Sequence, residues 1–165
     1  MSFGIRYGAV VADGYIENGS WINAGKEIPV TDIDIFYIKY SKYFEEYRLI
    51  LLTNNKRLEV PLATKNVHNA YKNFWQMACY LEDGFPDMFV CVNNNCCFNV
   101  SKVKSYDLTE GDTKLTAYFG CRYHLDINPE FIKRVIQTSR AYSNSAKTTK
   151  NDITGKDNKM LASSF

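Results

Sequence analysis

No apolar run in the chain approaches the roughly 20 residues that a membrane-spanning helix requires, which argues against a helical membrane protein. Neither sign of charge dominates, since 20 Lys and Arg stand against 18 Asp and Glu. The pI of about 8.2 lies below the range typical of proteins that bind nucleic acid through a large basic surface. It leaves room for a local phosphate-binding patch. The first seven residues lack a basic segment followed by a long apolar one, so we expect no secretory signal and a cytoplasmic location.

Catalytic motifs are also missing. The chain has no glycine-rich dinucleotide loop, no Walker A loop and no Gly-x-Ser-x-Gly elbow. Only two histidines are present. His124 follows Cys121 by three positions, and a Cys–His pair can activate a thiolate, but no third residue is identifiable that would orient the pair. We therefore expect a protein that is not an enzyme and needs no cofactor.

The five cysteines are odd in number, two are adjacent, and none forms a Cys-x-x-Cys pair. This usage indicates reduced thiols in an intracellular protein. Zinc would accept Cys121 and His124 together with Cys91, Cys96 and Cys97, if the strands brought them together. The paired spacing of zinc sites is absent, so we favour small, half-buried hydrophobic residues and predict no metal site.

What the chain does contain is an internal similarity. Ile28–Ile38 aligns without a gap on Phe98–Leu108, with apolar residues at the first, third, sixth, ninth and eleventh positions of both segments. Two strand-like runs and a helix-like run follow each segment. A strand-rich unit with one helix does not easily bury its apolar face alone. The sequence therefore predicts one domain, residues 1–143, built from two packed pseudo-repeats at about 15–83 and 84–143.

The first predicted repeat has four strands, at Tyr15–Ala24, Ile28–Tyr40, Tyr47–Thr53 and Arg57–Leu62. Asn54-Asn55 predicts a tight hairpin between the last two strands, because asparagine tolerates positive φ. A helix follows at Lys65–Leu81, with Thr64 as its N-cap and Gly84 as its C-terminal cap.

The second predicted repeat has strands at Met88–Val92, Cys96–Leu108, Lys114–Phe119 and Arg122–Ile127. Asn128-Pro129-Glu130 predicts a helix start, because it combines an N-cap residue, a proline in the first turn and an early carboxylate. From Ser143 onward the sequence loses its periodicity and is rich in Ser, Thr, Asn and Lys. We predict that residues 144–165 form a flexible polar tail.

Four strands and a helix, repeated once, resemble the order of elements in the Whirly and PUR-repeat proteins. The resemblance covers residues 15–143 and is one of element order. It implies two interlocked units in one α+β domain that binds single-stranded nucleic acid. A PH-like sheet capped by one helix, with an extra hairpin and helix, is the competing fold.

Several strands interleave basic and aromatic residues, and these are the candidate site residues: Lys39, Tyr40, Lys42, Lys102, Lys104, Tyr106 and Arg122. Aromatic rings stack on unpaired bases while Lys and Arg follow the phosphates. The ordinary explanation is that tyrosine is a good strand former and that lysine protects sheet edges. Binding of single-stranded nucleic acid predicts that these residues converge on one exposed face.

The alternative is a structural or host-interaction protein that acts through protein partners. Asn, Lys, Tyr, Ile and Phe are abundant and have A/T-rich codons, which suits the AT-rich genome of many phages. A phage protein of this kind is expected in the virion or the host cytoplasm. Long alternating strands such as Ile28–Tyr40 can also pair edge to edge and give a homo-oligomer. This alternative predicts a contiguous apolar surface patch.

Overall fold

The computed structural model describes residues 3–6, 9–12, 14–22, 27–54, 56–109, 111, 113–120 and 123–150. Within them lie two helices, α1 (Val67–Gly84) and α2 (Pro129–Lys150). The strands are β1 (Phe3–Arg6), β2 (Ala9–Ala12), β3 (Tyr15–Glu17), β4 (Ser20–Ile22), β5 (Glu27–Pro29), β6 (Ile33–Ser41), β7 (Glu46–Thr53), β8 (Lys56–Pro61), β9 (Phe89–Val92), β10 (Cys96–Asn99), β11 (Ser105–Leu108), β12 (Leu115–Tyr118) and β13 (His124–Ile127). The described strand pairs are antiparallel, and the fold is mixed α+β as the sequence predicts.

The central layer is a seven-stranded sheet in the order β4-β3-β8-β7-β6-β10-β9. Two three-stranded sheets, β1-β2-β5 and β11-β12-β13, accompany it. Because β10 pairs with β6, this sheet crosses the boundary that the sequence places between its two repeats. The similar segments do share a succession of strand, 3₁₀ turn, three strands and helix. The duplication itself stays a prediction.

Both predicted long strands are wrong at the same relative position. A 3₁₀ turn at Val30–Asp32 divides the first, and one at Val100–Lys102 divides the second. In the first, Pro29 has no N–H to donate to a ladder, which favours the end of β5 at that residue. In the second, the Asn99 side chain accepts a hydrogen bond from the Ser101 backbone N–H and holds the turn.

The predicted strand at Tyr15–Ala24 is a hairpin of β3 and β4. Asn18 and Gly19 form its turn with φ of 52° and 78°. Positive φ at both central residues is the geometry of tight hairpins, and Asn-Gly is the pair that adopts it best. The Asn54-Asn55 hairpin is confirmed by its register, since Thr53 pairs with Lys56 across the two-residue turn.

The ends of α1 differ from the prediction. Asn66, and not Thr64, is the N-cap, because its Oδ1 accepts hydrogen bonds from the backbone N–H groups of His68 and Asn69. Gly84 does not cap the C-terminus. It is the last helical residue, and the Phe85 backbone N–H donates to the Leu81 carbonyl.

Helix α2 runs past Ser143, where the sequence predicts its end, as far as Lys150. Ser143 is buried, and the Ser145 hydroxyl bonds to the Asp87 carboxylate, so this turn contacts the body of the domain. Residues 151–165 of the predicted tail lie outside the described residues. In the described part of the chain, neither helix is long and apolar enough to cross a membrane.

The central sheet separates two hydrophobic cores. On one face, α1 packs through residues such as Phe74 and Leu81 against Phe36 and its neighbours. On the other face, β11–β13 and α2 pack over β9, β10 and the start of β6, with Phe98 and Val135 among the buried residues. This C-terminal layer of β11–β13 and α2 covers one half of that face of the central sheet. On the other half, side chains such as Lys39 and Arg57 are exposed.

Candidate nucleic-acid interface

The accessible half of the sheet lies on the side opposite α1. Phe36 faces α1, since its ring centroid is 5.4 Å from that of Phe74. Successive residues of a strand point to opposite faces, so Tyr37 and Lys39 lie on the other side. Paired residues of neighbouring strands share a face. The register therefore places one line of side chains across five strands: Trp21, Ile16, Glu59, Ile50 and Tyr37.

Cationic residues flank this line on both sides. Lys39 lies two residues after Tyr37 in β6, and it is paired with Arg48 of β7. Arg57 occupies the preceding same-face position of β8. We call this surface the open face and define it by Trp21, Tyr37, Lys39, Arg48 and Arg57. It combines aromatic rings with cations on one sheet face, a combination that proteins use to bind single-stranded nucleic acid.

The cations of the open face differ in their availability. Arg48 is buried and forms ion pairs with Glu46 and Glu59, each at 3.4 Å. Its guanidinium carbon also lies 4.2 Å from the centre of the Phe44 ring. Lys39 and Arg57 are exposed and form no ion pair within the described residues. Arg48 is therefore a structural residue, while Lys39 and Arg57 remain available to a ligand.

Trp21 is positioned at the far end of the line by the β3–β4 hairpin. A Cβ atom on Gly14 would collide with the Trp21 ring, so the absence of a side chain at Gly14 allows the indole to pack there. Half of the tryptophan surface remains exposed, at 50%. At the opposite corner, the turn after β6 presents Lys42 and Tyr43, and Tyr43 is 87% exposed.

Where the open face meets the C-terminal layer, a cleft of about 780 Å³ opens between the sheet and β13. We call it the cleft. Its lining residues are Ile35, Tyr37, Leu52, Lys56, Arg57, Asn93, Asn95, Cys96, Tyr123, His124, Leu125 and Asn128. This lining holds two cations, two tyrosines and three asparagine amides over apolar residues, and no carboxylate among the described side chains. Such a lining favours an anionic ligand with a flat apolar part.

Hydrogen bonds between the layers hold the walls of the cleft. The Asn93 side chain donates to the Asp126 carbonyl and accepts from the Asn128 backbone N–H, both at 2.7 Å. It thereby ties the β9–β10 turn to the start of α2. On the other wall, the Tyr123 hydroxyl donates to the Asp34 carboxylate, and the Tyr123 ring lies 5.8 Å from that of Phe119.

The pKa shifts of two side chains at the cleft follow from their burial and from the charges near them. Burial raises the pKa of the Asp34 carboxyl, while the hydrogen bond from Tyr123 and the charges of Lys102 and Lys104 oppose that rise. Burial likewise raises the pKa of Tyr37, and nearby Arg57 opposes it. Tyr37 therefore stays protonated at neutral pH, with a polar tip and an apolar ring surface.

The structure brings only part of the predicted site together. Lys39 and Lys42 line one groove at the end of β6. Tyr40 is also at the rim of this groove, but it follows Lys39 in the strand and its ring packs on Tyr47, at 5.0 Å. The Tyr40–Tyr47 pair is on the α1 side of the sheet. The interleaving of basic and aromatic residues in the sequence thus divides them between two faces.

The remaining predicted residues lie elsewhere. Lys102 and Lys104 are beside Asp34, at the opposite end of β6 from Lys42. Tyr106 shares a hydrogen bond of 2.7 Å with Ser139 of α2, and burial raises its pKa to about 12. Its ring belongs to the packing of the C-terminal layer. Arg122 lies outside the described residues.

Sequence reasoning missed Tyr37, Arg57 and Tyr123. Tyr37 shares the alternation of Ile35 and Lys39, so the strand pattern contained it. The position of Arg57 was predictable from the hairpin at Asn54-Asn55. The register of that hairpin pairs Arg57 with Leu52 of β7, which lies on the same face as Tyr37 of β6. Tyr123 follows Arg122 in one of the interleaved basic and aromatic stretches, but its place in the cleft depends on packing between distant strands.

The cysteines correct a further prediction. Cys91 and Cys97 are directly paired in β9 and β10 and form a disulfide bond, so these two are not free thiols. Cys96 is a buried free thiol that lines the cleft, and burial raises its pKa to about 12. Cys121 lies outside the described residues. Among the residues that are described, no three His, Cys, Asp or Glu side chains are placed to hold a metal ion.

Comparison with known proteins assigns no family. No model of a protein family matches the chain, and no curated protein matches it. Among solved structures, a LytTr DNA-binding domain from a Bacillus cereus response regulator is similar, with a TM-score of 0.46 and 9% sequence identity. The similarity covers 77% of this chain and 97% of that domain. A similarity of this size supports no argument about function.

Proposed function

We propose that this protein is a non-catalytic binding protein that holds single-stranded nucleic acid on its open face. The observation that carries the proposal is the placement of Tyr37 and Trp21 on one sheet face, with the unpaired cations Lys39 and Arg57 on either side of their line. Rings of this kind stack on bases of any sequence, while flanking cations neutralise the phosphates.

A single strand fits this surface better than a duplex. Stacking on Tyr37 or Trp21 requires a base whose face is free, and the bases of a duplex are stacked on each other. The overall net charge of +2 is also small for a protein that binds a duplex through contacts to its phosphates alone. Three available cations, Lys39, Lys42 and Arg57, predict a slope of about −2 for log K against log salt concentration on a single strand.

The protein-partner alternative predicts a contiguous apolar patch, and α1 is where one would be sought. Its exposed apolar residues are Val67, Trp75 and Tyr80. At 100° per residue these three point about 80° and 140° apart in succession, so they form no common stripe. Homo-oligomer formation stays a prediction, and α1 presents no apolar stripe that would support it.

Fluorescence-anisotropy titration with a labelled 12-nucleotide single strand and its duplex, at several salt concentrations, tests the proposal. The single strand should bind more tightly than the duplex and weaken as salt rises. Arg57→Gln should reduce affinity about tenfold, as expected for loss of one charge-assisted contact. Lys72→Gln removes the same charge from the α1 side and should leave affinity unchanged. Equal affinity for the duplex, or equal loss in both variants, would contradict the proposal.

A further inference from the structure

The cleft beside the open face has a composition that a flat binding surface does not need. Its cations, Lys56 and Arg57, are at the sheet side, and its tyrosines, Tyr37 and Tyr123, come from the two layers that form it. The chain contains 18 acidic residues, yet none of the described ones lines this cleft. Lys56 forms an ion pair with Glu17 at 3.6 Å, so Arg57 is the cation that the cleft offers to an anionic ligand.

We infer that the cleft is a pocket for a single nucleotide unit, with the base beside Tyr37 and Tyr123 and the phosphate at Arg57. The inference rests on the proposed function, since the nucleotide belongs to the bound strand, but the cleft would recognise a free mononucleotide by the same chemistry. It adds to the open face one position at which a base leaves the surface and is enclosed.

Size supports one unit. A volume of about 780 Å³ falls within the range of about 300 to 1,000 Å³ in which proteins enclose small organic ligands. A duplex does not enter a cleft of this size. A base, a sugar and a phosphate do, with room for ordered water at the open side.

The polar groups are suited to a base edge and a phosphate. Asn95 and Asn128 present side-chain amides for which the described residues supply no hydrogen-bond partner, and an amide can donate to and accept from a base edge at once. Arg57 offers a planar fork of donors that matches phosphate oxygens. Leu52 and Leu125 form apolar walls for the ring.

The pocket is held in shape before any ligand arrives. The Tyr123 hydroxyl is bonded to Asp34, its ring rests near Phe119, and Asn93 clamps the β9–β10 turn to the start of α2. Groups that are already ordered lose little conformational entropy on binding. A weak ligand such as a mononucleotide is therefore expected to give measurable binding.

Protein-observed NMR with thymidine monophosphate, adenosine monophosphate, thymidine and inorganic phosphate tests the inference on the full chain. Both mononucleotides should shift the resonances of cleft residues such as Leu52 and Leu125, and their affinity should exceed that of thymidine or phosphate by about tenfold or more. Asn95→Glu places a carboxylate in the cleft and should weaken mononucleotide binding at least tenfold. Asn69→Glu makes the same change on α1 and should have no effect.

The outcomes separate this inference from the proposed function. If a single-stranded 12-mer binds but mononucleotides do not, and Asn95→Glu leaves 12-mer affinity unchanged, the pocket is overturned while the open face stands. If mononucleotides bind in the cleft but the 12-mer binds no more tightly than they do, the pocket stands and the strand-binding function fails. Equal binding of phosphate alone would reduce the pocket to an anion site and overturn the inference.

Discussion

Tyr106 lies in β11 and Tyr123 directly precedes β13 of the same small sheet, and the two residues have different roles. The Tyr123 hydroxyl bonds to Asp34 of the central sheet and helps to form the cleft. The Tyr106 hydroxyl bonds to Ser139 inside the C-terminal layer. Tyrosine content and strand propensity treat the two residues alike, and only their tertiary partners distinguish them. This is why the sequence selected Tyr106 for the site and passed over Tyr123.

The buried hydroxyl of Tyr106 should make the protein lose stability at alkaline pH. Its pKa rises from 10.0 to about 12 in the folded state, so the folded state binds the proton more tightly than the unfolded chain. Stability from this group is complete below pH 10 and is lost as pH rises through 12. At pH 11 the loss should be about 1 kcal/mol relative to pH 8.

Urea unfolding of the wild type and Tyr106→Phe at pH 8 and pH 11 measures this effect. The variant lacks the ionisable group, so its free energy of unfolding should fall less between the two pH values, by about 1 kcal/mol. At pH 8 it should be less stable by about 1 kcal/mol, because Ser139 loses its partner. Identical pH dependence in both proteins would show that Tyr106 is not buried as described.

At the scale of elements, local signals predict turns and fail where tertiary structure interrupts a strand. The Asn54-Asn55 hairpin and the start of α2 at Pro129 were predictable because backbone preference alone determines them. The 3₁₀ turns at Val30–Asp32 and Val100–Lys102 were not, because both segments keep an apolar pattern that also suits a continuous strand. Each turn buries its valine in a core, which is a tertiary effect.

The N-cap of α1 can be tested directly. Asn66→Ala removes the acceptor for the backbone N–H groups of His68 and Asn69 and should lower the free energy of unfolding by about 1 kcal/mol. Asn66→Asp keeps an acceptor oxygen and should retain most of the stability. Urea unfolding of both variants provides the comparison, and equal destabilisation by Ala and Asp would refute the capping role.

The disulfide bond between β9 and β10 is a second element-scale prediction. Cys91 and Cys97 are six positions apart, and closing a loop of this size stabilises a fold by about 2 kcal/mol in the chain-entropy description. A thiol reductant should therefore lower the stability of the wild type by about that amount. The variant with Cys91→Ala and Cys97→Ala should not respond to the reductant. Alkylation of Cys91 and Cys97 in unfolded, unreduced protein would show instead that both are free thiols.

For the whole molecule, composition and strand content were sufficient to predict a mixed α+β fold. They were not sufficient to show which half of the central sheet is covered. That depends on β10 pairing with β6, where Cys96 meets Tyr37, and on the C-terminal layer packing over β9 and β10. Contacts between segments about 60 residues apart leave no periodic trace in the sequence. The open face and the cleft are consequences of this long-range arrangement.

The chain carries a natural reporter for each side of the sheet. It has two tryptophans: Trp21 on the open face and Trp75 on α1 at the opposite side, 50% and 36% exposed. The indole N–H resonances of the ¹⁵N-labelled protein, assigned with Trp21→Phe and Trp75→Phe, can be followed during titration with a 12-nucleotide single strand at low salt. We predict that the Trp21 resonance shifts and saturates while that of Trp75 stays in place. Movement of Trp75 alone, or of neither resonance at saturating nucleic acid, would contradict it.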